Sequence, residues 1–249
     1  MCIKIMQTSR RILLKLSGES LAGARESGVN PEVVSYLANE ITDMLRRDVQ
    51  LAVVLGGGNF WRGGTAIAAG MDAPQAHYAG MLATVINALA LQDALERHGI
   101  QTRAMSALQT NQVAEPYIRR RAESHMQKGR VVLLAGGTGN PYFTTDTAAA
   151  LRAAELGAEL IMMAKNGVDG VYSADPHKDA SAQKFDTLSY TEAFTRGLQV
   201  MDSTALTFCN DNNLAMVVFD MFTPGNAARI LDGEHVGTRL MRAAPNPAL

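Results

Sequence analysis

Residues 131–164 read VVLLAGGTGNPYFTTDTAAALRAAELGAELIMMA. Val131 to Ala135 is a short apolar run with β-branched residues at its start, the composition of a strand buried on both faces. It breaks into Gly136-Gly137-Thr138-Gly139-Asn140-Pro141. An alanine-rich helical pattern follows from about Thr145 to Leu156 and stops at Gly157. Leu160 to Ala164 is a second buried strand. A strand, a glycine loop, a helix and a strand make one βαβ unit, and such a crossover leaves the two strands parallel.

The same alternation continues on both sides. Arg11 to Leu16, Leu51 to Leu55 and Thr102 to Ser106 read as strands, and Ala215 to Phe219 as a late one. A helix is expected from Asn30-Pro31-Glu32, where Asn caps and Pro suits the first turn, to about Arg47. Others are expected over Gln75 to His98, over Ala114 to Lys128, after the capping box Ser189-Tyr190-Thr191-Glu192, and over Asn226 to Leu231. The pattern predicts an α/β fold around a mostly parallel central sheet. The 249 residues are read as one domain, 1–249, with a soft internal boundary near Ala164.

Composition narrows the function. The net charge of −1 gives no global footprint for DNA or RNA, and aromatic residues at 6% make a stacking platform for single strands a poor fit. Two cysteines, Cys2 and Cys209, build neither a disulfide framework nor a four-ligand zinc site. His77, His98, His125, His177 and His235 show no metal-ligand spacing. Met1 to Arg10 carries no long apolar leader, and no run approaches the ~20 apolar residues of a membrane span, so a cytoplasmic protein is expected. Arg119-Arg120-Arg121 reads as a solvated helix face, and Met162, Met163, Met201, Met216 and Met221 as core.

Three glycine-bearing turns follow apolar strands: Gly56-Gly57-Gly58, Gly136 to Gly139, and Lys165 to Gly170. In an open parallel sheet such turns lie at the carboxyl ends of the strands, where ligands bind. Their backbone N–H groups and the helix N-termini beyond them attract phosphate. The two familiar phosphate motifs are absent. Gly58 and Gly63 have P-loop spacing but no lysine follows, and no strand is followed by G-x-G-x-x-G. Lys15 stands in the apolar strand RILLKL, either snorkelling at an edge or reaching a partner. Arg62 follows the triple glycine, and Asp146 opens a helix after Thr144-Thr145; each could be an ordinary loop or cap residue. Together, Lys, Arg, Asp and threonine hydroxyls around glycine loops suit phosphoryl transfer.

The chain resembles the bacterial uridylate (UMP) kinases of the amino-acid kinase family. The matching segments are Lys15 to Gly18, GGGN at 56–59 with Arg62-Gly63, GMLAT at 80–84, GTGNPYFTTD at 137–146 and VDGVYSADP at 168–176. The resemblance implies a three-layer α/β/α sandwich, a homohexamer and ATP-dependent conversion of UMP to UDP with Mg²⁺, in pyrimidine nucleotide biosynthesis. Lys15, Arg62 and Asp146 would be the catalytic group. Lys15, Leu16, Ser17, Gly18, Gly58 and Arg62 would meet ATP phosphates, and Asn166, Tyr172 and Asp175 its adenosine. Gly57, His77, Thr138, Gly139, Asn140, Pro141, Tyr142, Phe143, Thr144 and Thr145 would hold UMP. Residues 10–164 would form the UMP lobe and 165–240 the ATP lobe. The family usually has an aspartate where this chain has His77, which implies weaker ribose recognition. Gly23, Ala24, Arg25, Glu26, Ser27 and Gly28 match a loop for a GTP activator, with Arg103 and Arg130 as effector contacts. Gln92 and Glu96 are not the cations expected beside them, which puts GTP activation in doubt, and UTP is a separate expected inhibitor. No nucleic-acid or membrane partner is implied. Aspartokinase, carbamate kinase, the molybdenum storage protein and a Rossmann dehydrogenase are the competing readings.

Overall fold

A computed structural model of the protein describes residues 9–176, 178–179 and 181–243. Cys2, His177 and most of the stretch read for a leader lie outside the described residues.

The first half contains β1 (Arg10–Leu16), α1 (Gly18–Ala22), α2 (Pro31–Leu45), β2 (Val49–Leu55), α3 (Gly63–Ala68), α4 (Ala73–Arg97), β3 (Thr102–Ser106), β4 (Glu115–Pro116), α5 (Arg119–Gln127) and β5 (Val131–Ala135). Then come α6 (Thr145–Leu156), β6 (Leu160–Lys165), β7 (Val171–Tyr172), β8 (Lys184–Phe185), β9 (Thr187–Ser189) and α7 (Tyr190–Thr195). The chain finishes through α8 (Ser203–Asp211), β10 (Met216–Asp220), α9 (Asn226–Leu231) and β11 (Thr238–Met241). Nine strands form one sheet in the order β4-β3-β5-β2-β1-β6-β10-β11-β9, and β7 and β8 form a separate hairpin. Every pairing in the large sheet is parallel except β10 with β11. Ala164, where the two lobes are expected to meet, lies within β6 near the centre of this sheet.

Strand periodicity sorts the core into two layers. Ile12, Leu14 and Leu16 pack with Leu37 and Ile41 of α2, Ala88 and Leu91 of α4 and Ile230 of α9. Leu13 packs on the other face, with Met126 of α5, Ala149 and Ala153 of α6 and Leu206 and Cys209 of α8. The result is a three-layer α/β/α sandwich. Lys15 shares the parity of Leu13, so its side chain leaves the sheet on the α6 side.

The predicted helix over Ala114 to Lys128 is only partly one. Pro116 lacks an N–H and disfavours helical backbone before it, so Glu115–Pro116 pairs as an edge strand with β3, and the helix begins at Arg119. The Asn30 cap holds as expected, its side chain accepting from Glu32 N–H at 3.0 Å. Ser189 likewise accepts from Glu192 N–H. The sequence did not announce α1, α3, α8 or the short strands β7, β8, β9 and β11. The helix α4 has the length of a minimal membrane span and a mean hydropathy of 1.2 in its most apolar 18 residues, a feature the sequence reading passed over. Half of that stretch is buried against the protein. Tyr78, Leu82, Ile86 and Leu89 form an exposed stripe along it.

Candidate functional site

The strands β5, β2, β1 and β6 are consecutive neighbours in the sheet, so the loops leaving their carboxyl ends stand side by side. The first two loops touch backbone to backbone. A Cβ on Gly18 would stand 2.6 Å from Gly58 N, and one on Gly57 would stand 2.5 Å from Gly80 O. At these positions glycine serves close approach rather than an unusual dihedral, since neither has a positive φ. In the β5 loop the reason differs. Gly136, Gly137 and Gly139 are all left-handed, and Tyr142 adopts φ 71° without being glycine.

Two buried asparagines brace the triple glycine. Asn59 Nδ2 donates to Asn87 Oδ1 at 2.9 Å, and Asn87 Nδ2 donates back to Asn59 Oδ1 at 2.7 Å. Asn87 Nδ2 also donates to Gly56 O at 2.7 Å, and Asn59 Nδ2 to Gly28 O. Thr84 Oγ1 accepts from Gly136 N–H at 2.7 Å and so ties α4 to the β5 loop. None of these three side chains was singled out from the sequence as a site residue. The signal was there in Thr84 and Asn87, polar residues on the buried face of an otherwise apolar helix.

Lys15 is 8% exposed, and its Nζ lies 2.7 Å from Asp146 Oδ1. The predicted strand lysine and helix-opening aspartate therefore form an ion pair at the sheet edge. Arg62 stands apart from them. It pairs with Glu19 at 2.9 Å, and both side chains are well exposed. The Thr144 side chain caps α6, accepting from Asp146 and Thr147 N–H at 3.1 Å each. Thr144 also donates to Asp202, which accepts from Thr147 Oγ1 and caps α8 through Ala205 N–H at 3.0 Å. Asp202 was not foreseen. It lies far along the chain and only the fold brings it to Thr144.

A cleft of about 260 Å³ lies on one side of this group. It is lined by Gly57, Gly58, Trp61, His77, Met81, Thr84, Asn140, Phe143, Thr144 and Thr145, among others. Thr138, Gly139, Pro141 and Tyr142 belong to the same loop but do not line the cleft. His77 Nδ1 accepts from Tyr142 N–H at 2.9 Å, and the two rings meet edge to face at 5.1 Å. That bond uses the acceptor nitrogen, so a neutral His77 keeps its proton on Nε2. Trp61 Nε1 donates to Ala76 O at 2.9 Å and closes the wall.

A larger cleft of about 490 Å³ lies beyond β6, lined by Lys165, Gly170, Tyr172, Asp175, Arg196 and Val200 among others. Asn166 is exposed beside it without lining it. Tyr172 OH donates to Asp169 Oδ1 at 2.6 Å, and Lys184 Nζ holds Asp169 Oδ2 at 2.7 Å. Leu16 is fully buried, so only its backbone could meet a ligand. Ser17 and Gly18 open α1 directly beneath the triple glycine.

The expected effector residues are not brought together within one chain. The loop 23–28 hangs on Asn59, with Gly28 N–H donating to Asn59 O at 2.9 Å. Within it, Arg25 donates to Val29 O, and Ala24, Glu26 and Ser27 are exposed. Arg103 and Arg130 lie at the amino ends of β3 and β5, the opposite edge of the sheet. Arg103 lies 3.7 Å from Glu115 and 4.0 Å from Glu96, and Arg130 contacts Gln101 and His125. Gln92 holds Glu96 Oε1 at 2.9 Å. Among the described residues, no group of three His, Cys, Asp or Glu could hold a metal by itself.

Residues 10–220 match the amino acid kinase family. The chain is similar to the UMP kinase of Bacillus anthracis, with 39% identity, a TM-score of 0.91, and 94% of this chain and 97% of that one covered. It is similar to the UMP kinase of Ureaplasma parvum at 36% identity and a TM-score of 0.88, over 94% of this chain and 99% of that one. The uridylate kinase of Archaeoglobus fulgidus matches at 31% identity and a TM-score of 0.73, over 92% and 99%. With four glycine-bearing or helix-opening loops side by side around a buried Lys–Asp pair, and with this agreement along nearly its whole length, the chain belongs to the amino acid kinase family.

Proposed function

We propose that the protein transfers the terminal phosphoryl group of ATP to UMP, giving ADP and UDP. The observation that carries this reading is the Lys15–Asp146 pair: Asp146 follows Thr144 and Thr145 of the smaller cleft, walled by the GTGNPYFTTD loop, and the pair acts by its charges on Lys165 of the larger, walled by VYSADP. Residues 10–164 would hold UMP in the smaller cleft, and residues 165–240 the nucleoside of ATP in the larger. UMP kinases similar to this chain support the choice of acceptor.

The acceptor is a phosphate, anionic at neutral pH, so no strong general base is needed. The obstacle is repulsion between two polyanions. Lys15, the N–H groups of Gly57 and Gly58, and Arg62 after release from Glu19 would stabilise charge on the transferring group. Asp146 positions Lys15. The residues fit a metal that arrives with the donor: Asp146 offers a carboxylate beside the phosphate loops, and a phosphate-borne Mg²⁺ needs only one or two. That ion would neutralise charge on the donor's phosphates.

This reading places the protein in the cytoplasm and in pyrimidine nucleotide biosynthesis. A homohexamer is supported by the apolar stripe Tyr78, Leu82, Ile86 and Leu89, which a neighbouring subunit would cover. Arg103 and Arg130 are already engaged by Glu115, Glu96 and Gln101, and Gln92 adds no charge. GTP activation is accordingly expected to be weak, while UTP competes at the UMP cleft.

A coupled assay of ADP release with UMP, CMP, dUMP, aspartate, glutamate and carbamate, with and without GTP and UTP, tests the reading. Turnover with UMP well above the other acceptors is expected. Turnover with a carboxylate or carbamate instead would overturn it.

A further inference from the structure

Lys165 is the last residue of β6 and lines the larger cleft. The register pairs Lys15 with Met163, and Lys165 follows Met163 by two residues. Side chains two apart share a face, so Lys15 and Lys165 leave the sheet toward the same side, where Asp146 opens α6. The Asp146 carboxylate pairs with Lys15 and reaches Lys165 only through its charge. Lys15 holds it at 2.7 Å, while Lys165 Nζ donates at 3.0 Å to Val200 O. Among the described residues, that carbonyl is the only hydrogen-bond partner of Lys165 Nζ.

An ammonium carries three donors, and Lys165, half-buried and without a counter-ion of its own, bears a cost. Burial pushes the pKa of Lys165 down, Lys15 pushes it further, and Asp146 pulls it back up. The three side chains therefore carry one positive charge in excess of neutrality, in the wall of a cleft wide enough for a nucleotide. A polyanion would balance it. An uncharged ligand would leave the lysine without a counter-ion.

We infer that Lys165 is a third cation of the transfer site, binding the phosphate chain of the nucleotide that occupies the larger cleft. The inference rests on the kinase reading above. In the reaction, the bond from the terminal phosphorus to the bridging oxygen of ATP breaks and a bond to a UMP phosphate oxygen forms. Lys165 and Lys15 would receive the charge released on the leaving ADP oxygens. A sequence signal existed, since the apolar run LIMMAK ends in a lysine much as RILLKL carries Lys15 one residue from its end.

The test uses the full chain and the variants Lys165→Met and Lys165→Arg, with two readouts. In steady-state kinetics, Lys165→Met is expected to raise KM for ATP tenfold or more and lower kcat, with KM for UMP within twofold. Lys165→Arg should recover part of the loss. In thermal melts, the free Lys165→Met protein should melt at or above the parent temperature, because a poorly paired, half-buried charge is gone. The stabilisation produced by a non-hydrolysable ATP analogue should shrink. An unchanged KM for ATP and an unchanged analogue shift would overturn the inference. So would a lowered melting temperature of the free protein with both substrates affected alike, the pattern of a merely structural lysine. If the parent protein shows the analogue shift, loses it in Lys165→Met, and yet does not phosphorylate UMP, the acceptor assignment fails while the role of Lys165 stands.

Discussion

Lys15 Nζ and Asp146 Oδ1 are 2.7 Å apart, although one residue lies on β1 and the other in the first turn of α6. The pair exists because Lys15 has the parity of Leu13 rather than of Leu14, and so points at the layer that α6 belongs to. Lys15→Ala should lower kcat by a hundredfold or more, on the order of 3 kcal/mol. Near-normal turnover would remove Lys15 from the mechanism. Asp146→Asn leaves Lys15 without its counter-ion and removes the negative charge that also acts on Lys165. It should cost about 2 kcal/mol of stability in urea unfolding as well as slow turnover.

The Asn59–Asn87 pair is predicted to position the triple glycine. Asn87→Ala removes the partners of both Gly56 O and Asn59, all buried. A loss of about 2 kcal/mol is expected in denaturant unfolding. KM for UMP should rise, because Gly57 and Gly58, which line the smaller cleft, lose their brace. A variant with parental kinetics and stability would show that the glycines hold their course without it.

His77 offers a donor rather than an acceptor, since Nδ1 is occupied by Tyr142 N–H. A carboxylate there could accept from two ribose hydroxyls, whereas Nε2–H can make one bond to a hydroxyl oxygen. The parent protein should therefore separate UMP from dUMP poorly. His77→Asp should raise the ratio of kcat/KM for UMP over dUMP by about tenfold, the worth of a hydrogen bond to a charged group. A strong parental preference for UMP, unmoved by changing His77, would assign ribose recognition elsewhere.

Cys209 is fully buried in α8, and burial pushes its thiol up to about 12. The folded protein therefore keeps it protonated at pH 8, and a thiol-reactive dye should label a Cys2→Ser variant only after denaturation. The sign for stability follows. The contribution is fully present below the ordinary thiol value of about 8.5 and is lost as the pH rises from there toward about 12. Rapid labelling under native conditions would contradict the buried placement.

Much of the fold was legible because its elements announce themselves locally. The strands around Leu13, Val53, Leu133 and Met162 are apolar runs that periodicity finds, and the caps Asn30, Ser189 and Gly157 mark their helices. The helix over Ala114 to Lys128 was over-read because its polar composition hid the effect of Pro116. The short elements β7, β8 and α8 lack enough residues for a period to register. The same division runs through the site. Lys15, Arg62, Asp146 and the glycine loops were visible as motifs. Thr84 was visible only as the end of GMLAT, and neither Asn87 nor Asp202 belonged to a motif, because each acts through a partner distant in sequence.

The sequence by itself determined the parallel α/β architecture, the strand ends at which the glycine loops lie and the family. Those depend on local pattern: a run of apolar residues must be buried, and a glycine loop after it must lie at a strand end. Tertiary structure alone decided that Lys15 meets Asp146 while Arg62 turns away to Glu19. It also decided that His77 is bound by Tyr142, and that Lys165 comes to lie in the field of the Lys15–Asp146 pair. Such pairings depend on strand order, register and side-chain parity, which bring together charges and hydrogen-bonding groups that no spacing along the chain relates.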